Sequence, residues 1–176
     1  DRNNAHMLGV FGIDSYDNYQ GAYQFDRDYG IFRYGDRRVV QGMKLWTFGY
    51  GESSKTYERG YTDNAGPYVE LQSGRYVWDG HYEWVEPHQT ESWNEWWVPV
   101  AGTNGLTTLT RDVALNLQIP SGGGEASLVL AATRRLAGAK IVVRAGQREL
   151  LNTQSDLDPA APFRRNFALN GPAEGI

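Results

Sequence analysis

Glu91-Ser92-Trp93-Asn94-Glu95-Trp96-Trp97-Val98-Pro99-Val100 is the stretch whose reading decides the fold. In an extended strand, successive side chains point to opposite faces, so alternate residues line one surface. One face then carries Glu91, Trp93, Glu95 and Trp97, and the other Ser92, Asn94, Trp96, Val98 and Val100. The second becomes apolar toward its end and is expected to meet a core. The first mixes carboxylates with indoles, a costly set to bury and a wasteful one to leave to water.

Working outward, short runs of β-branched and aromatic residues recur between Gly, Asn, Asp and Pro clusters, the pattern of strands joined by tight turns. The runs fall at 8–13, 20–25, 30–34, 43–50, 67–72, 75–78, 82–86, 92–100, 112–119, 126–133, 140–144 and 149–151. This spacing predicts an all-β, antiparallel sandwich or barrel, with helix limited to a turn or two around Ser53 to Arg59. The stretch 131–137 has helical propensity, but Thr133 and Gly138 favour a strand ending in a turn. Asp26-Arg27-Asp28-Tyr29-Gly30 has the opening of a calcium loop without the closing Glu, and reads as a turn.

The aromatic content shifts at Pro120-Ser121-Gly122-Gly123-Gly124, beyond which no aromatic residue occurs until Phe163. Such a joint reads as a boundary or a long hairpin loop. The expected organisation is a main sheet assembly over 1–119, a small β appendage over 125–169 and a linker over 170–176. The chain is 176 residues long, enough for a domain with a real core. Its opening on Asp1 reads as cut from something longer.

Charge and composition narrow the function classes. With 17 basic against 21 acidic residues and a net charge of -4, the chain lacks the clustered basic excess that a phosphate backbone requires. Arg37-Arg38, Arg134-Arg135 and Arg164-Arg165 are isolated pairs of the kind that face solvent. The longest apolar run, 128–132, is far short of the ~20 residues of a spanning helix. With no cysteine, disulfides, thiolate metal sites and cysteine nucleophiles drop out together. His6, His81 and His88 lack ligand spacing, so no metal and no cofactor is expected, and no nucleic-acid or membrane partner.

Alternation places the remaining candidates. In 67–72, Val69 and Leu71 point inward, leaving Tyr68, Glu70 and Gln72 on the other side. In 43–50, Met43, Leu45 and Thr47 oppose Lys44, Trp46, Phe48 and Tyr50. If a strand runs through 82–88, Tyr82, Trp84, Glu86 and His88 share a face. A pyranose has an apolar C–H face that stacks on an aromatic ring and a rim of hydroxyls that pair with carboxylates and amides. Paired carboxylates also permit acid/base work on a glycosidic bond. The plainer alternative is that aromatic-rich strands serve packing, with their carboxylates as solvent-facing partners of arginine.

Gly42-Met43-Lys44-Leu45-Trp46-Thr47-Phe48-Gly49, Thr62-Asp63-Asn64-Ala65-Gly66-Pro67-Tyr68-Val69-Glu70-Leu71 and the opening stretch, in that order, carry a resemblance. Over about 6–119 the chain resembles an uncharacterised bacterial domain family that precedes tetratricopeptide-repeat arrays. That family is similar in turn to the galactose-mutarotase-like β-supersandwich. The resemblance implies a large antiparallel sandwich, of which this chain supplies the C-terminal half, with carbohydrate held on a concave sheet face. It matches Lys44, Trp46, Asp63, Tyr68, Glu70, Glu91 and Trp93, of which Asp63 is given no role at the sugar site. The expected function is a carbohydrate-binding module of a larger carbohydrate-active protein, with Lys44, Trp46, Tyr68, Glu70, Glu91 and Trp93 at the site. Two alternatives stay open. One is the working half of a glycoside hydrolase or epimerase-like enzyme, with Glu70, Glu91 and Glu95 as acid/base candidates. The other is a scaffold for a following repeat array. A half-sandwich also leaves a sheet surface that a second copy would cover, making a homo-oligomer.

Overall fold

The computed structural model describes residues 5–63 and 65–169; the linker expected over 170–176 lies outside them. Among the described residues there are twelve strands and one short helix, so the fold is all-β. Contacts group the chain into two compact units, one of residues up to Gly21 with Gly35–Glu95, the other of Ala22–Tyr34 with the chain from Trp96 onward. This grouping differs from the division expected at 120–124.

The first unit is built on a three-stranded sheet in which β4 (Gly42–Thr47) lies between β1 (Leu8–Phe11) and β5 (Val69–Gly74), both antiparallel to it. Helix α1 (Ser54–Tyr61) fills the connection from β4 to β5 with about two turns. It docks through Tyr57 and Tyr61, four residues apart and so on one helix face. Both rings lie against Phe48, with centroids at 4.9 and 5.8 Å. Buried Ser54 secures the start of the helix by donating its hydroxyl to the Phe48 carbonyl.

In the second unit, β2 (Tyr19–Gln24) and β3 (Tyr29–Gly35) join β6 (Glu95–Ala101) in the order β2-β3-β6, most of whose residues belong here. Val98 and Val100 of β6 are buried, the apolar end that alternation predicts. A four-stranded sheet follows, in the order β12 (Phe163–Leu169), β9 (Gly124–Ala132), β8 (Val113–Gln118) and β7 (Thr108–Leu109). Residues 119–123 are the turn of the β8–β9 hairpin and Gly124 opens β9, so this sheet takes strands from both sides of the glycine run. Strands β10 (Leu136–Ala145) and β11 (Arg148–Leu157) form a two-stranded ribbon. Its Ile141 and Leu157 enter one core with Ala126, Leu128, Leu130 and Ala132 of β9 and Phe167 and Leu169 of β12. Sheet and ribbon thus bury facing apolar sides, as in a sandwich.

The sequence reading needs three corrections. Residues 75–78 and 82–86 are not strands, because their aromatic β-propensity is a preference for cross-strand packing and neither run is assigned to a strand or paired in a sheet. Strand β12 was not expected, since its Arg164-Arg165 pair reads as solvated surface; its apolar Phe167 and Leu169 are nonetheless buried. The turn reading of 26–30 needs only a shift, to the 25–28 turn between β2 and β3. There the Asp28 carboxylate accepts the Tyr23 hydroxyl and, at 2.6 Å, the Asn104 N–H. Among the described residues no three His, Asp or Glu side chains gather into a possible metal site, and no helix is long and apolar enough to cross a membrane.

Just after β3, Asp36 accepts the Arg38 guanidinium at 2.7 and 3.0 Å and the Arg38 backbone N–H at 3.0 Å. The side-chain bond first, then the backbone bond, lower its pKa to about 2. A carboxyl depressed in the folded state contributes stability above its unfolded pKa, about 3.9, and that contribution is lost as pH falls through the folded value. A carbon-detected NMR titration should give Asp36 a midpoint near 2, moving upward in Arg38→Ala; an ordinary midpoint in both proteins would contradict the pairing.

Candidate functional site

Directly opposed residues of an antiparallel pair share a face. The β4–β5 register sets Lys44 opposite Gln72 and Trp46 opposite Glu70, while the β1–β4 register sets Gly9 opposite Trp46 and Phe11 opposite Lys44. One face of this sheet therefore carries Phe11, Lys44, Trp46, Glu70 and Gln72. The other carries Val10, Leu45 and Leu71.

The Trp46 indole lies over Gly9 of the edge strand. A Cβ there would come within 2.8 Å of the ring, so only glycine admits this close approach. Phe11 meets the indole edge-on, with centroids 5.6 Å apart. An aromatic ring laid over an edge glycine is a known device for pinning strand register, so Trp46 has a packing role whatever else it does. Gly9→Ala should cost about 1–3 kcal/mol through overpacking, outweighing the ~0.4–1 kcal/mol gained from a less flexible unfolded chain. It should also shift the Trp46 indole N–H resonance. An unshifted resonance with unchanged stability would contradict the contact.

Glu70 is held by two donors. The Gln72 amide reaches it at 2.7 Å, and the Tyr68 hydroxyl donates to it. Tyr68 in turn sits among rings, 5.3 Å from Phe48 and 4.9 Å from Tyr61. Loss of hydration there, followed by the Glu70 charge and hydrogen bond, pushes the Tyr68 hydroxyl above the usual phenol range. Lys44 reaches Asp79 at 2.6 Å, and the Gln72 carbonyl accepts the Gln20 amide at 2.5 Å.

The other candidates lie elsewhere in the unit. Glu91 pairs with Arg75 at 2.7 Å. Glu95 accepts the Ser73 hydroxyl at 2.5 Å, and Ser73 alternates with Gln72, so Glu95 meets the side of β5 opposite Glu70. Trp93 stands just before β6 with its ring half exposed. The sheet therefore gathers Lys44, Trp46, Tyr68 and Glu70, while Glu95 meets its other side and Glu91 and Trp93 belong to the loop before β6. Sequence reasoning missed Gly9, Asp79 and Arg75. A glycine inside a strand pattern does signal a close approach, whereas nothing local marks the other two.

These observations define an antiparallel β module that displays an aromatic ring beside an anchored carboxylate. The chain belongs to the family described as Domain of unknown function (DUF5107), which matches residues 3–100, more than half of its length. Residues 109–175, which include β8 to β12, are similar to the second domain of YphG-like protein. No solved structure matches the chain.

Proposed function

We propose that this chain is a carbohydrate-binding β module of a larger carbohydrate-active protein. The observation that carries the reading is Trp46 directly opposite Glu70 across β4 and β5. An indole fixed against Gly9 offers stacking for the C–H face of a pyranose, and a carboxylate already oriented by Tyr68 and Gln72 accepts a hydroxyl from its rim. Stacking is worth on the order of 1 kcal/mol beyond area burial, and the charge-assisted bond adds about 1.5–3 kcal/mol. Together with modest area burial this corresponds to millimolar to micromolar binding.

Glu70 and Glu95 meet opposite sides of β5, and Glu91 is engaged by Arg75. Hydrolysis needs two carboxyls flanking one bond, so this placement supports the binder over the enzyme. The packed rings around Phe48 would suit a scaffold equally well, but the exposed tryptophans of the same unit would not. Kinship with the galactose-mutarotase-like supersandwich and a place ahead of a tetratricopeptide-repeat array are parts of the same proposal; antiparallel sheets and the aromatic face support the first. Titration with mono- and oligosaccharides should quench tryptophan emission, and Trp46→Ala or Glu70→Gln should abolish the quenching. Emission that no sugar changes would contradict the reading.

A further inference from the structure

Between β5 and β6, residues 75–94 form no strand or helix. A stretch of that length inside a compact unit is uncommon as mere connection and is where binding loops are found. It is tied down from within. The Arg75 guanidinium holds Glu83 at 2.8 Å and Glu91 at 2.7 Å, and lies over the Tyr76 ring. Tyr76 lies against His81, whose Nε2 is 3.3 Å from Glu83. Asp79 fastens the loop to Lys44, on the face that carries Trp46 and Glu70.

This anchored loop presents aromatic rings to water. Tyr82 is 84% exposed and Trp84 91%, with Trp78 at 51% and Trp93 at 45%. So much aromatic surface grouped in one segment marks a binding site more often than idle surface. Trp78 is laid over Gly80, where a Cβ would come within 2.5 Å of the ring, so one ring face rests on backbone while half of the side chain stays open. The charge of the segment narrows the ligand. Arg75 stands against Asp79, Glu83, Glu86 and Glu91, a balance that repels acidic glycans, nucleic acids and anionic lipid headgroups.

We infer that residues 75–94 extend the carbohydrate surface, and that its ligand is a neutral oligo- or polysaccharide chain running from Trp46 and Glu70 onto Trp78 rather than a single sugar. This rests on the reading of the strand face as a carbohydrate site. Neighbouring subsites act as linked binding events, so affinity rises with chain length until the rings are filled.

Calorimetry on the full chain tests the inference with glucose, mannose and xylose beside their β-1,4-linked dimers, tetramers and hexamers. Affinity should rise at least tenfold from monomer to hexamer for one of these sugars. Trp78→Ala should return the hexamer to the affinity of the monomer and leave monomer binding unchanged, whereas Glu70→Gln should weaken both roughly ten- to a hundredfold. Trp84→Ala, whose ring is too exposed to matter to folding, should also weaken the hexamer. Binding independent of length, or hexamer binding untouched by both tryptophan variants, overturns the inference and leaves the strand-face reading standing. A galacturonate hexamer that binds more tightly than the neutral chains overturns the neutral ligand. No binding of any sugar overturns the inference and the strand-face reading together.

Discussion

Leu128→Ala should lower the stability of the second unit by about 2–5 kcal/mol, the range for removing a buried leucine side chain. Leu128 lies in β9, which pairs with β8 on one side and β12 on the other. Its side chain is 1% exposed in the core shared by β9, β12 and the β10–β11 ribbon. Two terms add, the lost transfer free energy of the deleted carbons and the cavity left behind, and a central strand held on both edges closes that cavity poorly. Leu130 and Ala132 on the same face are already packed and cannot swing in without leaving their own contacts. Denaturant unfolding should show a lower midpoint with an unchanged slope. A loss below about 1 kcal/mol would mean that Leu128 does not fill this core.

Asn116→Leu should destabilise by about 1–3 kcal/mol although it adds apolar volume, because it leaves the buried Thr103 carbonyl without its side-chain donor, whereas the Asn104 carbonyl keeps the Gln118 amide at 3.3 Å. The Asn116 amide donates to the Thr103 carbonyl at 2.8 Å and the Asn104 carbonyl at 3.0 Å. Both acceptors lie in the loop between β6 and β7, where Asn104 holds the left-handed backbone conformation with φ 55°. Thr103, fully buried, donates its hydroxyl to the Gly105 carbonyl at 2.7 Å, and its N–H reaches the Tyr23 hydroxyl at 3.3 Å. Tyr23 donates in turn to Asp28, whose carboxyl lies below the usual carboxylate range chiefly because of that bond. One amide on β8 therefore supports a loop, a tyrosine and the β2–β3 turn. Equilibrium unfolding with hydrogen exchange at the Asn104 and Gly105 amides should show the loop opening first in the variant; stability within about 0.5 kcal/mol of wild type would contradict the network.

The sequence carried the strands well and their partnerships poorly. Alternation placed Trp46 on one side of its strand and Glu70 on one side of another, but register is a cross-strand property set by β1, β4 and β5 together. The direct opposition of Trp46 and Glu70 was therefore not legible, nor was the role of Gly9 beneath the ring. The helix at Ser54–Tyr61 was legible as a turn or two around Ser53 to Arg59, and docking of Tyr57 and Tyr61 on Phe48 rather than local propensity sustains it. Residues 82–86 look like a strand by composition, yet the ion pairs of Arg75 hold the segment as loop. The glycine run at 122–124 admitted two readings, and the antiparallel register of β8 with β9 makes it a hairpin turn.

The central claim is that Trp46 and Glu70 together bind sugar, and isothermal titration calorimetry of the wild-type chain beside Glu70→Gln tests it most directly. The substitution keeps the side chain's size and removes its charge, so circular dichroism should be unchanged. The wild type should give saturable heat with a neutral sugar at a millimolar to micromolar Kd, and Glu70→Gln should lose about 1.5–3 kcal/mol of binding free energy, roughly ten- to a hundredfold in affinity. Equal heats from the two proteins, or no heat from the wild type with any sugar, would contradict the account.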